Sequence, residues 1–177
     1  RRDHPAWADR LRLEFHGQVH PGHESLAREL GIEDLLEVHP YVDHDQVPGI
    51  LANADAILVP LHGVPSGEEA LIVPGKLYEA VASGRPVLAT VPPGDARRLI
   101  RLAGGDSRVL GADDQTGVAG ALAGWLEGAA AGWRPEGAPR ELLHPFRRDR
   151  LTARLAASID AVVNGTAPPA DDPWMEL

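Results

Sequence analysis

Cysteine is absent from this 177-residue chain. Disulfide frameworks, Cys-based zinc sites and thiol nucleophiles are thereby excluded, and the absence fits a reducing compartment. Aromatic residues make up only 5% of the chain, and 17 Lys and Arg are outnumbered by 26 Asp and Glu. A formal net charge of −9 argues against a nucleic-acid-binding surface, which needs a basic field to meet phosphates. A small, locally basic pocket for one phosphate pair stays compatible with that charge. No apolar run approaches the roughly 18–20 residues that a membrane-spanning helix needs. Arg1-Arg2-Asp3-His4-Pro5 has no apolar stretch behind its charges, so it does not read as a signal peptide. With no initiator Met, the chain reads as a fragment. The expectation is a cytoplasmic chain with no integral membrane segment.

The composition that remains, 44% hydrophobic and 24% charged, is that of one ordinary globular domain. Short apolar runs alternate with helical patterns. Strands are expected at Leu11–Phe15, Leu35–His39, Ala56–Val59, Pro86–Thr90 and Arg108–Leu110. The apolar run from Ala56 reads as a strand buried on both faces. Helices are expected over 25–30, from an Asp43 cap to about Ala52, over 74–83, over 95–103, from an Asp114 cap to about Glu127, and over about 145–163. The last carries Leu151, Leu155, Ile159 and Val162 on one face. Strand–helix alternation of this kind implies an α/β fold, a Rossmann-like parallel sheet with helices on both faces. Residues 1–163 form the domain in this reading, and 164–177, rich in proline and acids, a disordered tail. Ligands bind such sheets beyond the carboxyl ends of the strands. That points to Gly17 onward, to 61–76, and to 91–95.

The segment Val73-Pro74-Gly75-Lys76-Leu77-Tyr78-Glu79 is the most informative. Pro74 and Gly75 open a helix whose first N–H groups lack internal partners, a place that attracts anions. Lys76 puts a full positive charge in the first turn, where the helix dipole disfavours cations. An anionic ligand there would offset that cost. Glu79, three residues on, shares the face of Lys76, and its carboxylate can accept hydrogen bonds from two vicinal hydroxyls such as those of a ribose. The same pattern serves equally well as a surface ion pair on an ordinary helix start.

The run Pro74-Gly75-Lys76-Leu77-Tyr78-Glu79-Ala80-Val81-Ala82-Ser83-Gly84-Arg85-Pro86-Val87 resembles the "KLxEYxAxGxPV" signature of group 1 (family-4-like) glycosyltransferases of GT-B architecture. Ala54-Asp55-Ala56-Ile57-Leu58-Val59-Pro60 resembles the family's preceding strand, and the long helix from about Pro145 resembles its terminal helix. The resemblance extends over about residues 10–163 and implies the C-terminal, donor-binding half of a retaining enzyme. Such an enzyme transfers a sugar from a nucleoside-diphosphate sugar. Glu79 then matches the second Glu of the family's E-x7-E motif, which meets the donor ribose. Lys76 acts on the leaving diphosphate, and Val73, Pro74, Gly75 and Gly17 fall around the donor; His62, by its position after the strand from Ala56, is expected to approach the same cleft. No metal or other cofactor is implied, and the partner is an N-terminal acceptor-binding domain. By itself the fragment is expected to be inactive.

Two departures stand out. The first Glu of the motif falls on Leu71, with Glu68 and Glu69 as the nearest acids. The strand, Gly-Arg turn and downstream Lys with which the family's donor domain opens are also lacking. An epimerase-like nucleotide-sugar enzyme, or a non-catalytic binding module keeping the half-fold, are the alternatives. Gly17 to Gly22 does not have the G-x-G-x-x-G spacing of a nicotinamide site, and Gly75-Lys76-Leu77 is not a P-loop. His16, His20 and His23 lack a partner at a fixed metal-ligand spacing. Trp125 and Trp133 read as packing residues.

Overall fold

A computed structural model describes residues 7, 10–61 and 68–170. Five strands alternate with helices: β1 (Leu13–His16), α1 (Pro21–Glu29), β2 (Leu36–His39), α2 (Val47–Asn53), β3 (Ile57–Pro60), α3 (Gly75–Ala82), β4 (Val87–Thr90), α4 (Asp95–Ala103), β5 (Arg108–Leu110), α5 (Gln115–Ala130) and α6 (Arg148–Asn164). Every strand pairing is parallel, as the helix-sized crossovers require. The fold is the expected Rossmann-like α/β class. Its hydrogen bonds divide the strands into two ladders, β1-β2 and β3-β4-β5.

The core lies around the second ladder. Val87, Leu88 and Ala89 of the central strand β4 are buried on both faces, and Leu77, Val81, Leu99 and Ile100 of α3 and α4 are fully buried with it. Leu77, Ala80 and Val81 recur at the spacing that gives a helix one inward stripe. The Arg85 guanidinium, just past α3, donates through Nε to the Ala52 carbonyl at 3.0 Å and also through Nη2. It thereby satisfies a carbonyl in the last turn of α2 with a cation, the sign that the helix dipole favours there. Asp114 caps α5 as expected, accepting from the Gly117 N–H at 2.8 Å. Trp125 is buried on α5, in the packing role expected of it.

Several local expectations are corrected. β3 is buried on one face only: Ile57 and Val59 point inward, but Leu58 is 42% exposed. Among the described residues β3 pairs only with β4, and an apolar run does not reveal whether a second layer covers it. Helix α1 starts at Pro21 rather than Ser25, because the His20 Nδ1 accepts from the Gly22 N–H and caps it. Asp43 does not cap α2; its own N–H donates to the Gln46 side chain, and the helix begins at Val47 with Pro48 in its first turn. The last helix is preceded by a 3-10 turn over Arg140–Phe146 that contains Pro145. Its expected apolar face is solvent-facing: Leu151, Leu155, Ile159 and Val162 are all exposed, and within α6 only Ala161 is buried.

Candidate functional site

Parallel strands bring their carboxyl ends to one edge, where the loops can converge on a ligand. Past β3 and β4 the ladder pattern runs on, with Leu61 N–H bonded to Thr90 O and Val91 N–H to Leu110 O. The chain then returns at Ala70, which forms a single parallel bridge with Gly94 and whose N–H donates to Pro93 O at 2.8 Å. This contact fastens the approach to α3 onto the β4–α4 turn. It requires Gly94, whose φ of 130° lies where only glycine is comfortable and whose Cα faces the Ala70 backbone.

α3 opens directly beyond this closure. Pro74 is its cap residue, with no side-chain cap bond, and the Leu77 N–H bonds back to Pro74 O at 2.9 Å. The Gly75 and Lys76 N–H groups make no hydrogen bond among the described residues, and an added methyl at Gly75 would meet nothing. Both residues are exposed, and the Lys76 ammonium has no ion-pair partner among the described residues. With Leu77 fully buried, the helix start is anchored while Lys76 is left pointing outward. An open helix N-terminus with a free cation beside it is a device for holding an anion.

Glu79 is 39% exposed, and His44 of the β2–α2 connection reaches it, Nε2 standing 3.6 Å from Oε1. His44 is a residue the sequence reading passed over, for it lies far from α3 in the chain and carries no motif. The last residue of β2 meets Gly17, whose N–H donates to His39 O at 3.1 Å and whose φ is 111°. Val73, Pro74, Gly75 and Lys76 are contiguous, whereas Gly17 is held at the end of β2 and Glu79 meets His44, five residues further on. His62 lies outside the described residues. Leu71, at the place of the first Glu, is 80% exposed, and Glu68 and Glu69 are exposed as well.

Two more residues shape the edge. Arg97 of α4 donates through Nη2 to Val91 O at 2.7 Å and to Leu110 O at 3.1 Å, tying the ends of β4 and β5 together. Carbonyl partners leave no periodic trace, so the sequence reading did not single it out. Tyr78 packs on Phe146, ring centroids 5.4 Å apart, which secures α3 to the 3-10 turn. Burial, and secondarily the charge of Asp95, push the Tyr78 phenol above its usual ionisation range. The folded state therefore holds this proton more tightly than the unfolded chain. The associated stability is complete below the unfolded value near pH 10 and is lost as pH rises through the folded one. In a Tyr41→Phe variant the one remaining tyrosine should titrate above pH 10 when followed by ultraviolet absorbance. An ordinary or lower value would show that Tyr78 is not packed this way.

Among the described residues, no helix is long and apolar enough to cross a membrane. A family model described as "Glycosyl transferases group 1" matches residues 4–127, more than half of the 177 residues. No curated protein and no solved structure matches the chain.

Proposed function

Because the chain belongs to the group 1 glycosyltransferases, we propose that it is the donor-binding half of a retaining enzyme that takes its sugar from a nucleoside-diphosphate sugar. The observation that carries this reading is the start of α3. Unpartnered N–H groups and the free Lys76 stand there beside Glu79, at the carboxyl edge of the β3-β4-β5 ladder.

In this reading the diphosphate lies on the Gly75 and Lys76 N–H groups. Lys76 neutralises the charge that grows on the leaving nucleoside diphosphate as the glycosidic bond breaks. Glu79 accepts from the ribose hydroxyls, and His44, now beside its carboxylate, orients it or yields to the ligand. The chemistry asked of the protein is positioning and charge stabilisation, and no metal is called upon for it. Val73 and Pro74 set the approach to the helix, and Gly17 borders the donor from a neighbouring loop.

Two features support an incomplete cleft. In the doubly wound order 3-2-1-4-5-6, the first strand runs between the second and the fourth. The β2-β1 and β3-β4-β5 ladders fit the 3-2 and 4-5-6 flanks of that order. The place between them then belongs to the strand, Gly-Arg turn and Lys that the family resemblance calls for. The exposed apolar stripe of α6 is the surface that an acceptor-binding domain would cover. Full activity then needs both additions, in a cytoplasmic setting. A second reading, a binding module that keeps the half-fold without transfer, draws on Leu71: an exposed leucine stands where a sugar-binding carboxylate is wanted.

Ligand-observed NMR with UDP, GDP and ADP, against a nucleoside monophosphate control, tests the proposal. Saturation transfer to the ribose protons of one diphosphate is expected. Glu79→Ala should weaken that binding by about 1–3 kcal/mol, the worth of hydrogen bonds to a charged group. Unchanged affinity in the variant would remove Glu79 from the ribose site. If no nucleotide binds either this chain or a two-domain enzyme containing it, the donor assignment falls and the binding-module reading takes its place.

A further inference from the structure

On a strand every second side chain shares a face. The parallel register pairs Glu14 with Glu37 and His16 with His39, so two carboxylates and two imidazoles lie on one face of the β1-β2 ladder. The ligand-type atoms of Glu14, His16 and His39 all stand within 4.8 Å of one another. The two rings stack with centroids 4.6 Å apart and 14° between their planes. His16 Nε2 is 3.7 Å from a Glu14 carboxylate oxygen, and His39 Nε2 is 3.9 Å from one of Glu37.

Both separations are too long for hydrogen bonds. The His16–Glu14 separation is close to that of two donors on a common ion, since zinc bonds of about 2.0–2.2 Å set tetrahedral neighbours roughly 3.3–3.6 Å apart, and His39 must move in from within 4.8 Å. Turning the rings out of their stack would bring their in-plane lone pairs onto such an ion. His39 Nε2 is shut off from solvent and makes no hydrogen bond among the described residues, which leaves a buried polar atom wanting a partner. Arg12 holds Glu37 by Oε1 at 2.9 Å, so that the other carboxylate oxygen is the one near His39.

We propose that Glu14, His16 and His39 form a binding site for one divalent transition-metal ion of the zinc class, with Glu37 beside them as an orienting or fourth ligand. Imidazole nitrogens with one or two carboxylates suit zinc and its neighbours, whereas magnesium and calcium want oxygen throughout. The site adjoins Gly17, whose N–H donates to His39 O, but its argument does not use the donor reading. His20 is not part of the converging group, and its Nδ1 is taken by the Gly22 N–H. The ion clips together two strands of only four residues each. Their opposite face is incompletely filled, with an apolar cleft of about 150 Å³ bounded by Leu13, Phe15, Leu26 and Leu36. Binding to the folded ladder alone raises the stability of that ladder.

Titration of the metal-free full chain with Zn²⁺ against a chromophoric chelator should give one ion per chain. His16→Gln and His39→Gln should each weaken zinc at least tenfold, and His20→Gln should leave the affinity unchanged. Melting of the metal-free variants checks that each is folded. If either histidine variant melts early, the exposed Glu14→Gln is read in its place with the same tenfold expectation. Zinc should raise the melting temperature of the wild type and not that of the His16→Gln/His39→Gln double variant. Absence of one-to-one binding in the wild type overturns the site, and so does unchanged affinity in the folded variants.

Discussion

Alanine in place of Leu77 is expected to lower the stability of the chain by about 3–5 kcal/mol, in the upper range of leucine truncations in well-packed cores. Leu77 has 0% exposure and shares one cluster with Val81, Val87, Leu99 and Ile100. Those neighbours belong to α3, β4 and α4, three elements that meet at the centre, so the cavity cannot collapse without moving the sheet or a helix. The same side chain fixes the first turn of α3, with Lys76 before it and Glu79 two residues after it on the outward side. Nucleotide binding should therefore weaken along with stability, although Leu77 touches no ligand in the proposed site. Denaturant unfolding measures the first effect, and the NMR titration the second. Leu155→Ala is the matched control: Leu155 is exposed on α6, and its loss should stay within about 0.5 kcal/mol. If Leu77→Ala cost under 1 kcal/mol, α3 would not be anchored as described.

Gly94→Ala is expected to cost about 2–4 kcal/mol, from two causes that act together. A φ of 130° with ψ near −168° is a region open essentially to glycine, and forcing another residue into it costs about 1–3 kcal/mol. The added Cβ would also press into the carbonyl of Ala70. Both sides of that clash are backbone, so no rotamer change relieves it. Relief requires breaking the Ala70–Gly94 bridge and the Ala70 N–H bond to Pro93 O. Loss of that closure would loosen the approach to α3, and with it Val73 and Pro74. Gly75→Ala makes the contrast, since an added methyl there meets nothing and the backbone is helical; its effect on stability should stay within about 0.5 kcal/mol. Equal stabilities for the two variants would show that the Ala70–Gly94 closure does not form in solution. Hydrogen exchange at the Ala70 amide would report the same failure.

What the sequence determined by itself is whatever depends on neighbours along the chain. The bounds of α4 and β5, the inward stripe Leu77, Ala80 and Val81, and the Asp114 cap all follow from short-range periodicity and capping chemistry. The placement of Lys76 and Glu79 on one helix face, and the open first turn, were legible for the same reason. Tertiary structure decided what lies across from each element. It left Leu58 exposed and turned the α6 stripe to solvent, because an apolar pattern records a capacity for burial and not the presence of a second layer. It set His44 against Glu79, Arg97 on the carbonyls of β4 and β5, and Ala70 on Gly94. It also stacked His16 on His39. These contacts join residues distant in sequence through register and backbone carbonyls, and neither leaves a local signature in the order of side chains.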